Sequence, residues 1–312
     1  MLGIERATVL ICTTDPLSFI PSLGPRDSAW LSIHLIASDI ATSGFAPQYG
    51  IFDLNLPPAM SDSILARYWR AFHEECSQLG VSIVSGHTGR YVGCGYTIIG
   101  GGVMMAVCPR NRYLSSTMAE EGNDLILTKG AAIETTAVLS RSFPRTVRRA
   151  LGQRLFQNAW KYLRKVTTVE DALTASSVGV RNDGVTAMHD ATEGGVTSAL
   201  IDLANSSQVG LRLEEDQIQI SSETAEVCKL FRIDPLCSLS EGSLVIASKP
   251  FATGKILKKL ASKGLAATVV GRLVPRERGL RATSPKGESR LRYPTVDPYW
   301  VAYSKATAKG WR

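Results

Sequence analysis

The stretch from Asp27 to Thr42 constrains the chain more than any other. Trp30, Leu31, Ile33, Leu35, Ile36, Ile40 and Ala41 fall on nearly every face of the helix that their spacing predicts. A helix apolar all round must be covered on most sides, so it needs a layered neighbour, and β-branched strands surround it in sequence. Thr8 to Thr14 reads as a strand ending on Asp15-Pro16, and Tyr49 to Leu54 as a second. Ser61 or Asp62 can cap a helix in which Ile64, Leu65, Tyr68, Trp69, Phe72, Cys76 and Leu79 recur at helical spacing, with Gly80 as its stop. Val81 to Val84 reads as a short buried strand running into a small-residue turn, Ser85 to Gly89, and Thr97 to Val107 as another strand.

A polar, turn-rich segment from Pro109 to Asp124 places the domain boundary near Arg110, which suits a 312-residue chain at about 150 residues per domain. The expected organisation is residues 1–110, residues 111–280 and a basic C-terminal tail over 281–312. In the second part, a strand at Asp124 to Thr128 leads to a helix around Glu134 to Ser140. A longer helix follows Pro144 and keeps Val147, Leu151, Leu155, Ala159 and Leu163 on one side. Thr186 to His189 reads as a strand meeting Asp190-Ala191-Thr192-Glu193-Gly194-Gly195. Leu211 to Leu213, Leu244 to Ala247 and Thr268 to Val270 look like further strands, with helices near Ser222 to Leu230 and Ala252 to Ser262. Both parts mix the two element types, so the class is α/β or α+β.

Composition excludes several kinds of protein. With 44% hydrophobic residues the chain can bury a core, and its longest apolar runs, such as Ile98 to Val107, are glycine-interrupted and shorter than the about 18 to 20 residues of a membrane span. Met1 to Asp15 does not read as a signal peptide. The six cysteines lack C-x-x-C or zinc spacing and read as reduced thiols of a cytoplasmic protein. The net charge of +7 divides unevenly: residues 1–248 carry 20 basic against 25 acidic side chains, net −5, and residues 249–312 carry 15 against 3, net +12. The lysines from Lys255 to Lys263 suit a solvated helix face. Beyond Gly279, Arg281, Lys286, Arg290 and Arg292 sit among turn formers as in a surface tail, for which a nucleic-acid role is not favoured.

Three places deliver a carboxylate or a small-residue turn to an edge: Thr13-Thr14-Asp15, Ser38-Asp39-Ile40 and the segment 190–195. Asp39 sits in the helix that otherwise buries nearly everything, and an ionised carboxylate there needs a partner. A metal is one such partner, and a helix cap or an ion pair is another. Magnesium prefers oxygen ligands shared with a polyphosphate. Gly194-Gly195 before a helix lets backbone N–H groups approach an anion, with Thr192 as a hydroxyl donor; the same pair equally serves a tight turn on backbone angles alone. His87 in its turn can be a ligand, an acid/base group or a polar loop residue.

Taken in order, these motifs carry a resemblance. Thr13-Thr14-Asp15-Pro16, Asp39 ahead of Gly44-Phe45-Ala46-Pro47, Gly86-x-Thr88, Asp190-x-Thr192-x-Gly194-Gly195, Asp234-Pro235-Leu236 and Ser240-Glu241-Gly242-Ser243-Leu244-Val245 follow one another as in the aminoimidazole ribonucleotide synthase (PurM-like) superfamily. The chain resembles that superfamily over roughly residues 8–275, with hydrogenase-maturation HypE-like proteins as the nearest branch. The resemblance implies a two-domain fold, with an N-terminal mixed-sheet domain that dimerises through its strands and a C-terminal α/β sandwich domain. It implies ATP and Mg2+ as cofactors, a nucleotide and a small-molecule substrate as partners, a homodimer and no membrane association. The implied chemistry is ATP-dependent phosphorylation or dehydration of a carbonyl- or amide-type substrate, as in a cyclo-ligase, kinase or dehydratase. The alternative is a non-catalytic member binding a nucleotide or phosphorylated metabolite.

Carried over residue by residue, the resemblance makes Asp15 and Asp39 the metal ligands and Asp39, His87 and Glu241 the catalytic candidates. Thr14, Asp15, Gly86, Thr88, Asp190, Thr192, Gly194 and Gly195 become the nucleotide contacts. The chain departs from the pattern where His87 replaces an aspartate. It also starts only a few residues before the first Thr-Asp strand, where the family carries a glycine-rich acidic segment. Its last residues, Gly310-Trp311-Arg312, lack the terminal cysteine of the HypE-like branch.

Overall fold

The computed structural model describes residues 2, 3 and 5–312; Met1 and Ile4, at the start of the segment read for a signal peptide, lie outside the described residues. The chain divides into two compact units, Met1–Tyr113 and Leu114–Arg312.

In the first unit, β1 (Leu2–Gly3), β2 (Thr8–Ser18), β3 (Tyr49–Leu56), β4 (Ser82–Arg90) and β5 (Ile98–Pro109) form a sheet in the order β1-β2-β5-β3-β4. β5 pairs antiparallel with both β2 and β3, and β3 pairs parallel with the edge strand β4. Two helices accompany the sheet: α1 (Gly24–Ala41), whose Trp30, Ile33, Ile36, Ala37 and Ile40 are buried, and α2 (Asp62–Gln78). The Ser61 side chain caps α2 by accepting from the Ile64 N–H, as its sequence predicts. Period-two alternation sets the faces of β3: Phe52, Leu54 and Leu56 point inward, with Phe52 edge-on to Phe72 of α2 at 4.7 Å, while Tyr49, Ile51 and Asp53 are exposed.

Two expectations for this unit need correction. β2 does not stop at Asp15-Pro16 but runs on to Ser18, pairing Asp15 with Gly102 and Pro16 with Gly101. β1 reaches only Val9 and Leu10 of β2, so the far side of Pro16 needs no N–H donor and proline is tolerated there. Ser85 to Gly89 is no turn either. It lies inside β4, in register with β3 from Ile51 to Asn55. Gly86 is demanded by that closeness, since a Cβ there would fall 2.6 Å from the Phe52 carbonyl oxygen.

The second unit is built on a seven-stranded sheet. In chain order its elements are β6 (Asp124–Thr128), α3 (Ile133–Ser142), α4 (Pro144–Leu151), α5 (Gln153–Trp160), α6 (Val169–Ser176), β7 (Val185–Asp190), α7 (Gly195–Ser206) and β8 (Gly210–Glu214). There follow α8 (Ser222–Phe231), β9 (Leu244–Ser248), α9 (Pro250–Ser262), β10 (Ala267–Val274), β11 (Leu280–Ser284), β12 (Gly287–Arg290) and α10 (Pro298–Ala308). The strand order is β12-β11-β8-β10-β6-β9-β7. Leu125, Leu127, Ala187, Val245 and Ala247 share one core with Val196, Leu200 and Leu203 of α7. The alternate residues Ile126, Met188 and Ile246 are buried on the opposite face, the side of α6 and α9. A sheet covered on both faces explains why β6 and β9 are apolar without alternation.

The long helix expected after Pro144 is two, because Gly152 takes φ +83° and breaks it into α4 and α5. The expected basic tail over 281–312 is likewise corrected. β11 joins the sheet parallel to β8, β12 folds back on β11, and α10 buries Tyr299, Ala302 and Ala306.

Candidate functional site

Candidate residues of the first unit assemble where β2 meets α1. Thr13 and Asp15, two apart on the strand, share a face, and the Thr13 hydroxyl donates to Asp39 Oδ2 of α1 at 2.8 Å. That bond supplies a partner for the carboxylate that the apolar helix was bound to require. Asp15 and Asp39 are both half-buried, so each keeps access to water. Thr14 takes the other face and is exposed, which separates it from the pair.

The register places the remaining candidates of this unit elsewhere. One row across the sheet runs Asp15, Gly102, Phe52, Gly86; the next runs Pro16, Gly101, Asp53, His87. His87 therefore lies on the opposite face from Asp15, about 14 Å away across three strand spacings. It is exposed, and its Nε2 lies 2.8 Å from the Tyr91 hydroxyl. Gly86 and Thr88 share the Asp15 face by register but sit on the edge strand, so the structure does not gather His87 with Asp39.

In the second unit, pairing of β7 with β9 brings Asp190 opposite Leu244 and sets the 190–195 turn against the loop 238–243. Ala191 N–H donates to the Ser243 carbonyl at 2.9 Å and Ser240 N–H to the Thr192 carbonyl at 3.3 Å. Asp190, Thr192, Gly194, Gly195 and Glu241 thus fall in one neighbourhood. A third segment joins them: the Ala132 N–H, at the start of α3, donates to Ser240 Oγ at 2.5 Å, and Ser243 Oγ donates to the Gly130 carbonyl at 2.5 Å. Asp190 is 4% exposed; its Oδ1 lies 3.7 Å from His189 Nδ1, while Oδ2 accepts no hydrogen bond among the described residues. A buried carboxylate oxygen left so is costly, and a proton, a water or a cation offsets that cost.

The diglycine turn differs from its expected use. Gly194 and Gly195 take φ +74° and +65°, and a Cβ on Gly195 would fall 2.6 Å from the Ser238 carbonyl oxygen, so backbone angle and packing both require glycine. The Gly194 N–H is engaged from within the chain. It donates to Asp297 Oδ2 at 2.8 Å, and the Gly195 N–H donates to the Thr192 carbonyl at 3.1 Å. Asp297 also caps α10, accepting from the Tyr299 N–H at 2.8 Å, and receives the Ser238 hydroxyl at 3.4 Å. Burial pushes its carboxyl above the usual carboxylate range in spite of these donors. Sequence reasoning missed Asp297, although Asp297-Pro298 is a cap followed by a first-turn proline, a recognisable helix start.

Lys129 was missed as well. It ends β6 with φ +59°, and its Nζ donates to Asp171 Oδ2 at 2.7 Å and to the Thr167 carbonyl at 2.6 Å. Burial pushes the ammonium below its ordinary value, and the Asp171 charge opposes that shift.

Two family models cover nearly all of this architecture. The model described as AIR synthase related protein, N-terminal domain, matches residues 2–107, and its C-terminal counterpart matches residues 120–281. The chain belongs to the AIR synthase-related family. Among its relatives is the carbamoyl dehydratase HypE of Rhizobium leguminosarum bv. viciae, 25% identical over 274 residues, covering 85% of this chain and 73% of that protein. The crystal structure of E. coli HypE, a hydrogenase maturation protein, superposes with a TM-score of 0.79 at 24% identity, covering 93% of this chain and 87% of the other. A structure of the hydrogenase maturation protein HypE in complex with ATP matches with a TM-score of 0.73 at 18% identity, over 95% and 88% of the two chains. These superpositions establish a two-domain, mixed α/β fold common to this AIR synthase-related protein and its HypE-like neighbours.

The family resemblance implies a magnesium ion, for which the residues present offer a partial ligand set. Among the described residues, no group of three or more His, Cys, Asp or Glu side chains converges to hold an ion. Asp15 and Asp39 supply two oxygen donors on one face, which suits a magnesium ion arriving with phosphate ligands and not one caged by protein alone. No helix among the described residues is long and apolar enough to cross a membrane.

Proposed function

We propose that this AIR synthase-related protein binds ATP and uses it to phosphorylate or dehydrate a small carbonyl- or amide-type substrate. The observation that carries the reading is the Thr13–Asp39 hydrogen bond. It fixes one carboxylate of a largely buried helix on the face that also holds Asp15. That arrangement is worth building if two acidic groups must address a phosphate-chelated cation. The HypE neighbour solved in complex with ATP supports the nucleotide, and the carbamoyl dehydratase relatives support the reaction class. Asp15 and Asp39 would hold Mg2+, which withdraws charge from the transferred phosphoryl group when bound. Asp39 is oriented by the Thr13 hydroxyl. In the second unit, Asp190, Thr192 and Glu241 are the groups we assign to phosphate and substrate.

The same reading makes the protein a cytoplasmic homodimer joined through strands of its first unit. Exposed Tyr49 and Ile51 on β3 and Val84 on β4 support that contact. The test is a magnesium-dependent thermal shift with ATP, followed by ATP hydrolysis with and without candidate amides. ATP should stabilise the protein only with magnesium, and Asp39→Asn should abolish both stabilisation and turnover. Tolerance of Asp39→Asn in both assays rejects the reading. Stabilisation without turnover for any substrate would instead identify a nucleotide-binding member without catalysis.

A further inference from the structure

Between the start of α4 and the segment 310–312, the second unit has a cavity of about 500 Å³. Its volume is that of a small-molecule site. Arg145, Thr146, Arg149, Trp311 and Arg312 line it, and the Arg312 α-carboxylate is the one negative group against three guanidinium groups. The surrounding sequence is as one-sided: between Glu134 and Glu170 there is no Asp or Glu, while Arg145, Arg148, Arg149, Arg154, Lys161, Arg164 and Lys165 fall in that interval.

The walls are built and held. Arg145 and Arg149 are four residues apart on α4, so their guanidinium groups leave the same helix face. Both are exposed, and neither forms a salt bridge among the described residues. Opposite them, the Thr146 N–H donates to an α-carboxylate oxygen of Arg312 at 2.7 Å and the Arg312 N–H to Thr146 Oγ1 at 3.3 Å. The Trp311 ring is wedged against Phe231 at 5.1 Å and Phe143 at 6.5 Å, which fixes the floor. Like charges at this helical spacing repel, and Arg145 in the first turn also opposes the helix dipole. The Arg312 carboxylate offsets one of the three guanidinium charges of Arg145, Arg149 and Arg312, and a bound anion offsets the others.

We propose that this cavity binds a small phosphoryl anion carrying at least two negative charges, held between the guanidinium groups of Arg145 and Arg149. Guanidinium forks match phosphate oxygens two at a time, and two forks on one helix face match two adjacent phosphoryl groups better than one carboxylate. Confinement to a single concavity favours a small molecule over a nucleic acid, which needs an extended basic track.

Titration of inorganic pyrophosphate into the full chain at constant ionic strength tests this, read by calorimetry and by the indole N–H resonance of Trp311, assigned with Trp311→Phe. In magnesium-free buffer, one saturable site that moves the Trp311 resonance is expected, weakened at least tenfold in the Arg145→Ala/Arg149→Ala double variant. Both arginines are exposed, so the double variant should retain its circular dichroism and melting transition. The proposal is overturned if the Trp311 resonance does not move, if chloride moves it equally at the same ionic strength, or if the double variant binds as tightly as the parent.

Discussion

The backbone N–H of Gly194 donates to Asp297 Oδ2 at 2.8 Å, joining residues 103 positions apart in sequence. Through this bond the residues before α10 furnish a negative charge to the start of α7, where the helix dipole welcomes one. Because burial holds the Asp297 carboxyl high, the bond has a pH signature. A carboxyl raised in the folded state binds its proton more tightly there than in the unfolded chain. Its contribution to stability is therefore full below the unfolded pKa of about 3.9 and is lost as pH climbs through the folded value. Asn retains an acceptor oxygen without the charge. The stability of Asp297→Asn relative to the parent should rise between about pH 4 and 7 in urea titrations, and a pH-independent difference would refute the assignment. Asp297→Ala, which loses the acceptor too, should fall about 1 kcal/mol below the Asn variant.

Lys129 and Asp171 form a pair with side chains 11% and 1% exposed. Truncating one partner strands the other charge, so Lys129→Met or Asp171→Leu alone should cost about 3–5 kcal/mol. The double variant should cost much less than their sum. A double-mutant cycle by chemical denaturation measures this, and simple additivity would show that the two residues are not coupled.

Two glycines offer opposite outcomes from one substitution. Gly195→Ala forces a Cβ to within 2.6 Å of the Ser238 carbonyl oxygen at a left-handed φ, and should lower stability by more than about 2 kcal/mol. Gly254, exposed within α9, has nothing within 4 Å of its Cβ position. Gly254→Ala should raise stability by about 0.5–1 kcal/mol. Melting temperatures moving in the same direction would contradict the backbone description of one of these sites.

Burial pushes the Cys76 and Cys228 thiols up to about 12, and Cys12 is exposed on β2. A disulfide reagent at pH 8 needs thiolate and access. Cys12, in one row with Tyr49 on the face proposed for the dimer contact, should react within the mixing phase only in the dissociated subunit, Cys94 and Cys237 more slowly, and Cys76, Cys108 and Cys228 only after denaturation. Fast labelling of Cys76 in the native protein, detected by mass spectrometry, would contradict the packing of α2.

Where sequence and structure part company, local punctuation is the cause. The strand at Asp124 to Thr128 and the Ser61 cap of α2 were legible because apolar run and cap coincide with element ends. Asp15-Pro16 and Ser85 to Gly89 look like stops, but pairing with β5 and β3 overrides them. In β11 only Ala282 marks a buried position, and α10 shows its inner face only through Tyr299, Ala302 and Ala306, too sparse a signal against so much positive charge. Among the candidate site residues, Asp15 with Asp39 and Asp190 with Glu241 could be grouped from motif order. The face taken by His87 depends on sheet register, and the partner of Gly194 lies about a hundred residues away, beyond any local pattern.

The two rims of the seven-stranded sheet bear on self-association. β12, at one rim, is four residues long, wholly exposed and carries Glu288 and Arg290; β7, at the other, is almost entirely buried. A short charged strand is a poor template for another chain's backbone, and a covered strand is no template at all. Templated aggregation of this protein would therefore have to begin on the first sheet, where the nine residues of β4 form an edge, and a single lysine or proline introduced there is the economical way to block it.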